Sequence, residues 1–200
     1  MGDHIFNPDA QLDKVEFRIV AALERLSEAF RVLLWDQAKV LNVSPIQIQL
    51  LIFLRYHKPE YATVSKLAEE FNMTRPTISD AVRALEQKGL VERDPTPADA
   101  RSHTLVLTDA GRAVAEQTAN FASPLLLPLE LMDDEQKYNL LENLLHMILN
   151  LQRKGVVSLH RMCFNCQNYM TRSSGHYCRL LAKKLENKDL QIDCPVHVPH

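Results

Sequence analysis

Residues 63–111, TVSKLAEEFNMTRPTISDAVRALEQKGLVERDPTPADARSHTLVLTDAG, constrain the fold more than any other stretch of this chain. Val64, Leu67, Ala68 and Phe71 recur at helical spacing and give one helix an apolar face. Asn72 and Met73 make a turn. Thr74 is a good N-cap, and Pro76 sits in the first turn of a second helix, where a missing N–H costs little. Ile78, Ala81, Val82 and Leu85 form that helix's buried stripe, and Gly89 ends it as the residue past the C-cap. Residues 90–93 and 104–107 are strand-like. Residues 94–102 between them are polar and Pro-rich, as an exposed loop is.

Helix, turn, helix and hairpin in that order make a winged helix, with the second helix placed to enter a major groove. Its outer face carries Arg75, Thr77, Ser79, Asp80 and Arg83, next to Thr74. Hydroxyls and guanidinium groups reach phosphates and base edges there. A solvated helix face is the plain alternative, and the hairpin tips the balance away from it. Arg93 lies on the first strand. Asp99, Arg101 and Ser102 lie near the wing tip, where Arg101 is placed to enter a narrow minor groove.

At this point the segment LEQKGLVERDPTPADARSHTLVLTDAG resembles the MarR-type winged-helix transcription regulators. The matching pieces are Leu85-Glu86, Lys88-Gly89-Leu90-Val91, Asp99-x-Arg101-Ser102 and Leu107-Thr108-x-x-Gly111, and the element order agrees from about residue 12 to about residue 151. The resemblance implies a homodimer that binds double-stranded DNA at a pseudo-palindromic operator. Such regulators are usually repressors relieved by a ligand, a metal or an oxidant. Asp80 departs from many relatives, which carry a basic or neutral residue there. A carboxylate at that position repels phosphate or accepts from a cytosine amino group.

Two hundred residues suit a winged-helix domain over 1–154 with an appendage over 155–200. A net charge of −2 provides no global basic surface, so DNA affinity must come from a local patch. No run of eighteen apolar residues exists and the first four residues are not a signal peptide, so a cytoplasmic, membrane-free protein is expected. Residues 12–41 read as one long helix, with Leu12, Val15, Ile19, Leu23, Leu26, Phe30 and Leu33 three and four apart. Ser44, Pro45 and Gln47 open the next helix with a capping box. After Thr108 a helix runs to about residue 122, and Pro124 and Pro128 make residues 125–127 a bent linker. Asp133 or Asp134 caps a last long helix whose apolar face is Leu140, Leu141, Leu144, Leu145, Ile148 and Leu151. The expected fold is mainly α: a winged helix-turn-helix with a two-stranded wing, flanked by long N- and C-terminal dimerisation helices and followed by a small metal-stapled tail.

That tail holds all four cysteines: Cys163, Cys166, Cys178 and Cys194. In a reducing compartment such a cluster points to metal or redox chemistry rather than to disulfides. A C-x2-C pair chelates one metal or two corners of a cluster, and four thiolates complete a zinc or an iron–sulfur site. Cys178 and Cys194 stand singly and Cys194 precedes Pro195, which favours an iron–sulfur cluster over zinc. His160, His176 and His197 are close in sequence and are read as surface residues, since four thiols suffice. The expected function is a repressor whose cluster senses redox state or iron. The alternative is a MarR-like regulator with a structural zinc site and a small-molecule inducer. No Gly-rich nucleotide loop and no acid–base or nucleophile constellation is present, so an enzyme is not expected.

Overall fold

In a computed structural model, residues 4–94, 104–158, 161–172 and 175–199 are described. The long N-terminal helix is interrupted. Lys14 is extended, with φ −125° and ψ 108°, and separates α1 (Pro8–Asp13) from α2 (Val15–Leu41). Asn7 caps α1, with Pro8 in the first turn, so a second N-terminal signal lies upstream of the apolar stripe. Asn42 closes α2 in the left-handed region at φ 52°. α3 (Pro45–Tyr56) opens on the expected Ser44/Gln47 capping box, and both of its reciprocal hydrogen bonds are made.

α4 (Val64–Glu70) and α5 (Arg75–Gln87) form the helix-turn-helix, capped by Thr63 and Thr74. Gly89 follows α5 at φ +66°. β1 (Val91–Arg93) pairs antiparallel with β2 (Leu105–Leu107), Glu92 opposite Val106. α6 (Asp109–Thr118) starts on the Thr108 cap and packs against α3. One core joins these elements: Ile48, Leu50, Leu51, Leu67, Ile78, Leu85 and Ala115 are fully buried in it.

The segment expected as a bent linker is helical instead. A short 3-10 turn, Ser123–Leu125, runs into α7 (Leu126–Glu130). Pro124 sits in the first turn of the former and Pro128 in the first turn of the latter, where a missing N–H breaks no helical bond. α8 (Asp134–Arg153) starts on an Asp133/Gln136 capping box. Beyond it lies an antiparallel sheet in the order β3 (Tyr169–Arg172), β4 (Gly175–Cys178), β5 (Lys183–Leu185). Met162, Leu185 and Leu190 of this tail bury Leu145 and Leu149 of α8 in a second core. Part of the α8 face expected to dimerise therefore covers the tail. Val15, Ile19, Leu26 and Phe30 of α2 stay exposed in the single chain, as do Leu126, Leu127 and Leu131 around α7. No helix among the described residues is long and apolar enough to cross a membrane.

Candidate nucleic-acid interface and cysteine site

α5 buries Ile78, Ala81, Val82 and Leu85 and turns its other side outward. Thr74, Arg75, Thr77 and Arg83 are exposed, while Ser79 is half-buried and less available than its place in sequence implies. Ser79 follows the buried Ile78 and lies at the margin of the packed stripe. Thr74 accepts the Thr77 N–H at 3.3 Å, and the two hydroxyls lie 2.8 Å apart, so the helix start is a compact hydroxyl pair. The positive end of the helix dipole adds to its attraction for phosphate.

The arginines differ in their readiness. Arg75 makes no ion pair among the described residues. Arg83 donates to Asp80 at 3.3 Å and Arg93 to Glu86 at 2.9 Å, so each must exchange a carboxylate for a phosphate on DNA. Asp80 thus reduces the positive patch by pairing with the very residue expected to contact DNA. Asp99, Arg101 and Ser102 of the wing tip lie outside the described residues.

In the tail the four thiols come from three local devices. Cys163 opens a 3-10 turn and Cys166 follows it, with the Cys166 N–H donating to the Cys163 carbonyl. Cys178 ends β4, opposite Tyr169 and Lys183. Cys194 is held by its N–H on the Arg161 carbonyl at 2.8 Å. All four line one cavity of about 20 Å³ with Tyr169, Leu180, Leu185 and Val196. The Gln191 N–H donates to Cys163 Sγ at 3.2 Å. Burial pushes the Cys163 thiol above its usual range and the three neighbouring thiols add to this, against the pull of Gln191. The four cysteines form no disulfide. Among the described residues, no three His, Cys, Asp or Glu side chains close to ion-holding geometry. The quartet is gathered without being closed.

The histidines are engaged elsewhere. His197 Nε2 faces the Asn165 side-chain and main-chain oxygens, at 3.0 and 3.1 Å. His176 lies between Tyr169, at 2.6 Å, and Glu142, at 3.4 Å. Neither lines the thiol cavity. His160 lies outside the described residues.

A feature with no sequence signal joins the two sites. Arg161 is 6% exposed. Its Nη1 and Nη2 donate to the Glu70 carboxylate of α4 at 3.0 and 2.7 Å, and its Nε to Asp193, next to Cys194. The guanidinium also lies over Phe53 and Tyr61, at 5.3 and 5.0 Å. Burial works against its charge, yet the Glu70 and Asp193 carboxylates hold it above the ordinary arginine value. His57 Nε2 lies 2.5 Å from the second Asp193 oxygen.

Comparison with known proteins agrees with this architecture. The MarR family model matches residues 41–102 and so stops short of the cysteines. A curated relative, the organic hydroperoxide resistance transcriptional regulator of Bacillus subtilis, is 27% identical over 110 residues, 55% of this chain and 71% of that protein. The fold is similar to Staphylococcus aureus MepR in a DNA complex, with TM-score 0.57 and 22% identity over 66% of this chain and 97% of that one. Streptococcus pneumoniae FabT in complex with DNA also has TM-score 0.57, with 20% identity over 68% of this chain and 96% of that one. Fold, family match and relatives converge, and the helix-turn-helix and hairpin of this chain are similar to the winged helix of MarR-type regulators.

Proposed function

We propose that this protein is a DNA-binding transcriptional regulator that acts as a homodimer, and that its four tail cysteines form one metal centre that sets operator affinity. The observation that carries the DNA reading is α5. A MarR-family winged helix presents Thr74, Arg75, Thr77 and Arg83 on a face with no other packing role. The relatives solved as DNA complexes add support. The dimer reading rests on Val15, Ile19, Leu26 and Phe30, an exposed stripe long enough for a second copy to bury.

The metal reading rests on the thiol quartet. Four sulfurs around one cavity, an apolar wall and a main-chain N–H on Cys163 Sγ suit bound thiolates. Sequence favours an iron–sulfur cluster, through Cys194-Pro195. A single tetrahedral zinc on the same four thiols is the second reading. The cluster alone makes the tail a redox sensor, since zinc has no redox chemistry.

Purification without oxygen, with metal and sulfide analysis and a visible spectrum, separates these outcomes. Brown protein with iron and sulfide supports the first, and colourless protein with one zinc per chain the second. Protein free of both metals with full structure overturns the metal centre. Equilibrium ultracentrifugation showing a monomer at micromolar concentration overturns the dimer. Failure to enrich any duplex from a random library overturns the DNA reading.

A further inference from the structure

We propose that Arg161 is a positioning residue that couples the state of the cysteine site to the helix-turn-helix through Glu70. This deepens the reading above, since it rests on the thiols changing state. It assigns the route by which that change reaches DNA.

The route is short and made of directional contacts. Arg161 stands two residues before Cys163, and its carbonyl accepts the Cys194 N–H. Its Nε is bonded to Asp193, the neighbour of Cys194. Both ends of the cysteine site thus converge on one residue. The other two guanidinium nitrogens grip both oxygens of Glu70, in the last turn of α4. Leu67 and Ala68 of α4 share the core with Ile78 and Val82 of α5. A displacement of Glu70 is therefore carried into the recognition helix.

Fork-to-fork pairing fixes register, whereas an apolar contact tolerates sliding. Burial makes the arrangement all-or-none, because an unpaired guanidinium at 6% exposure is strongly disfavoured. Two further ties cross the same seam. Asn72, in the turn between α4 and α5, accepts from the Ser158 N–H and hydroxyl at 2.9 and 2.7 Å. His57 meets Asp193. The tail is thus fastened to the scaffold helix and turn of the DNA-binding motif, at the residues where a small rotation changes how α5 is presented.

Hydrogen exchange on the full-length protein tests this without operator DNA. N-ethylmaleimide is the probe, because it alters the thiols whether or not they hold metal. In wild type, alkylation should speed exchange in peptides covering residues 64–87 by roughly fivefold or more, the lower end of usual site-to-site coupling. Glu70→Gln keeps the shape of α4 but loses the ionic fork. It should leave the unmodified helix-turn-helix protected and cut the response to less than about twofold, while peptides covering 163–194 still respond. Asn72→Ala, which cuts the neighbouring tie, should retain most of the response. Arg161→Lys keeps the charge without the fork and should behave like Glu70→Gln. A full response in both Glu70→Gln and Arg161→Lys overturns the proposal. So does a wild type in which residues 163–194 respond and 64–87 do not. Metal content of the same samples reports separately on the metal reading, and DNA enrichment on the DNA reading.

Discussion

Gly111→Ala tests how the hairpin and α6 are held together. Gly111 is the third residue of α6, outside the left-handed region, so it is not there for its backbone freedom. It is there for space. A Cβ built at this position lies 1.9 Å from the Leu90 carbonyl oxygen and 2.9 Å from its carbon, where real Cβ atoms stay beyond 3.0 Å. The obstacle is main chain just before β1, so no side-chain rotation relieves it. Either α6 lifts or residue 90 moves, and Thr108 is caught between them. Its hydroxyl accepts the Gly111 N–H at 3.0 Å and donates to the Gly89 carbonyl at 2.6 Å. Overpacking costs about 1–3 kcal/mol, and here the upper end applies because backbone must shift. Loss of the cap adds about 1 kcal/mol. Alanine's better helix propensity returns about 1 kcal/mol, leaving a net loss of about 3 kcal/mol.

Gly89→Ala is the internal control. Gly89 has open space within 4 Å but φ +66°, so alanine there meets only the left-handed backbone penalty of about 1 kcal/mol. Urea unfolding followed by far-UV circular dichroism reads the difference, since with m of about 1–3 kcal/mol/M the Gly111 variant should lose roughly 1 M or more in midpoint. A Gly111→Ala protein as stable as Gly89→Ala, with unchanged m, refutes the steric argument.

Four other outcomes are expected. Asp80→Asn releases Arg83 from its exposed pair and should barely change stability while tightening DNA binding about threefold, read by gel-shift titration; weaker binding would instead mark Asp80 as a base contact. Arg75→Ala should lower affinity and reduce the slope of log affinity against log salt by about one. Leu145→Ala, at a site 1% exposed between α8 and the tail, should cost about 2–5 kcal/mol and open Arg179, Lys183 and Lys184 to rapid tryptic cleavage. Ala182 occupies the left-handed region at φ 49°, so Ala182→Gly should stabilise the β4–β5 turn by about 1 kcal/mol and slow cleavage at the same sites.

The chain's local signals were enough to place most of its elements, because they are satisfied within a few residues. Ser44 with Gln47, Thr74 with Thr77, and Asp133 with its partner three residues on act as caps whatever surrounds them. The stripes on α4 and α5 face the core as their spacing requires, since a 3.6-residue period admits one burial face. Clustering of the cysteines in one segment was legible for a similar reason, as the chain between them is short enough to fold back. Where local signals conflict, context decides. Lys14 breaks a stripe that periodicity runs straight through, and residues 125–127 turn helical despite flanking prolines.

Other features exist only in three dimensions. Nothing in the sequence marks Arg161 as buried, because its partners Glu70 and Asp193 lie 91 and 32 residues away and a lone arginine is ordinarily solvated. The same holds for His57, whose carboxylate partner is 136 residues distant. Apolar spacing shows that α8 has a face to bury but not what covers it, since burial is non-directional; the fold gives part of that face to Met162, Leu185 and Leu190. Gly111 is recognisable as a motif position, yet its necessity appears only when α6 closes onto the Leu90 carbonyl. Periodicity and capping are local free energies that a chain carries in any context, whereas long-range ion pairs and close approaches acquire their meaning only after the chain has folded.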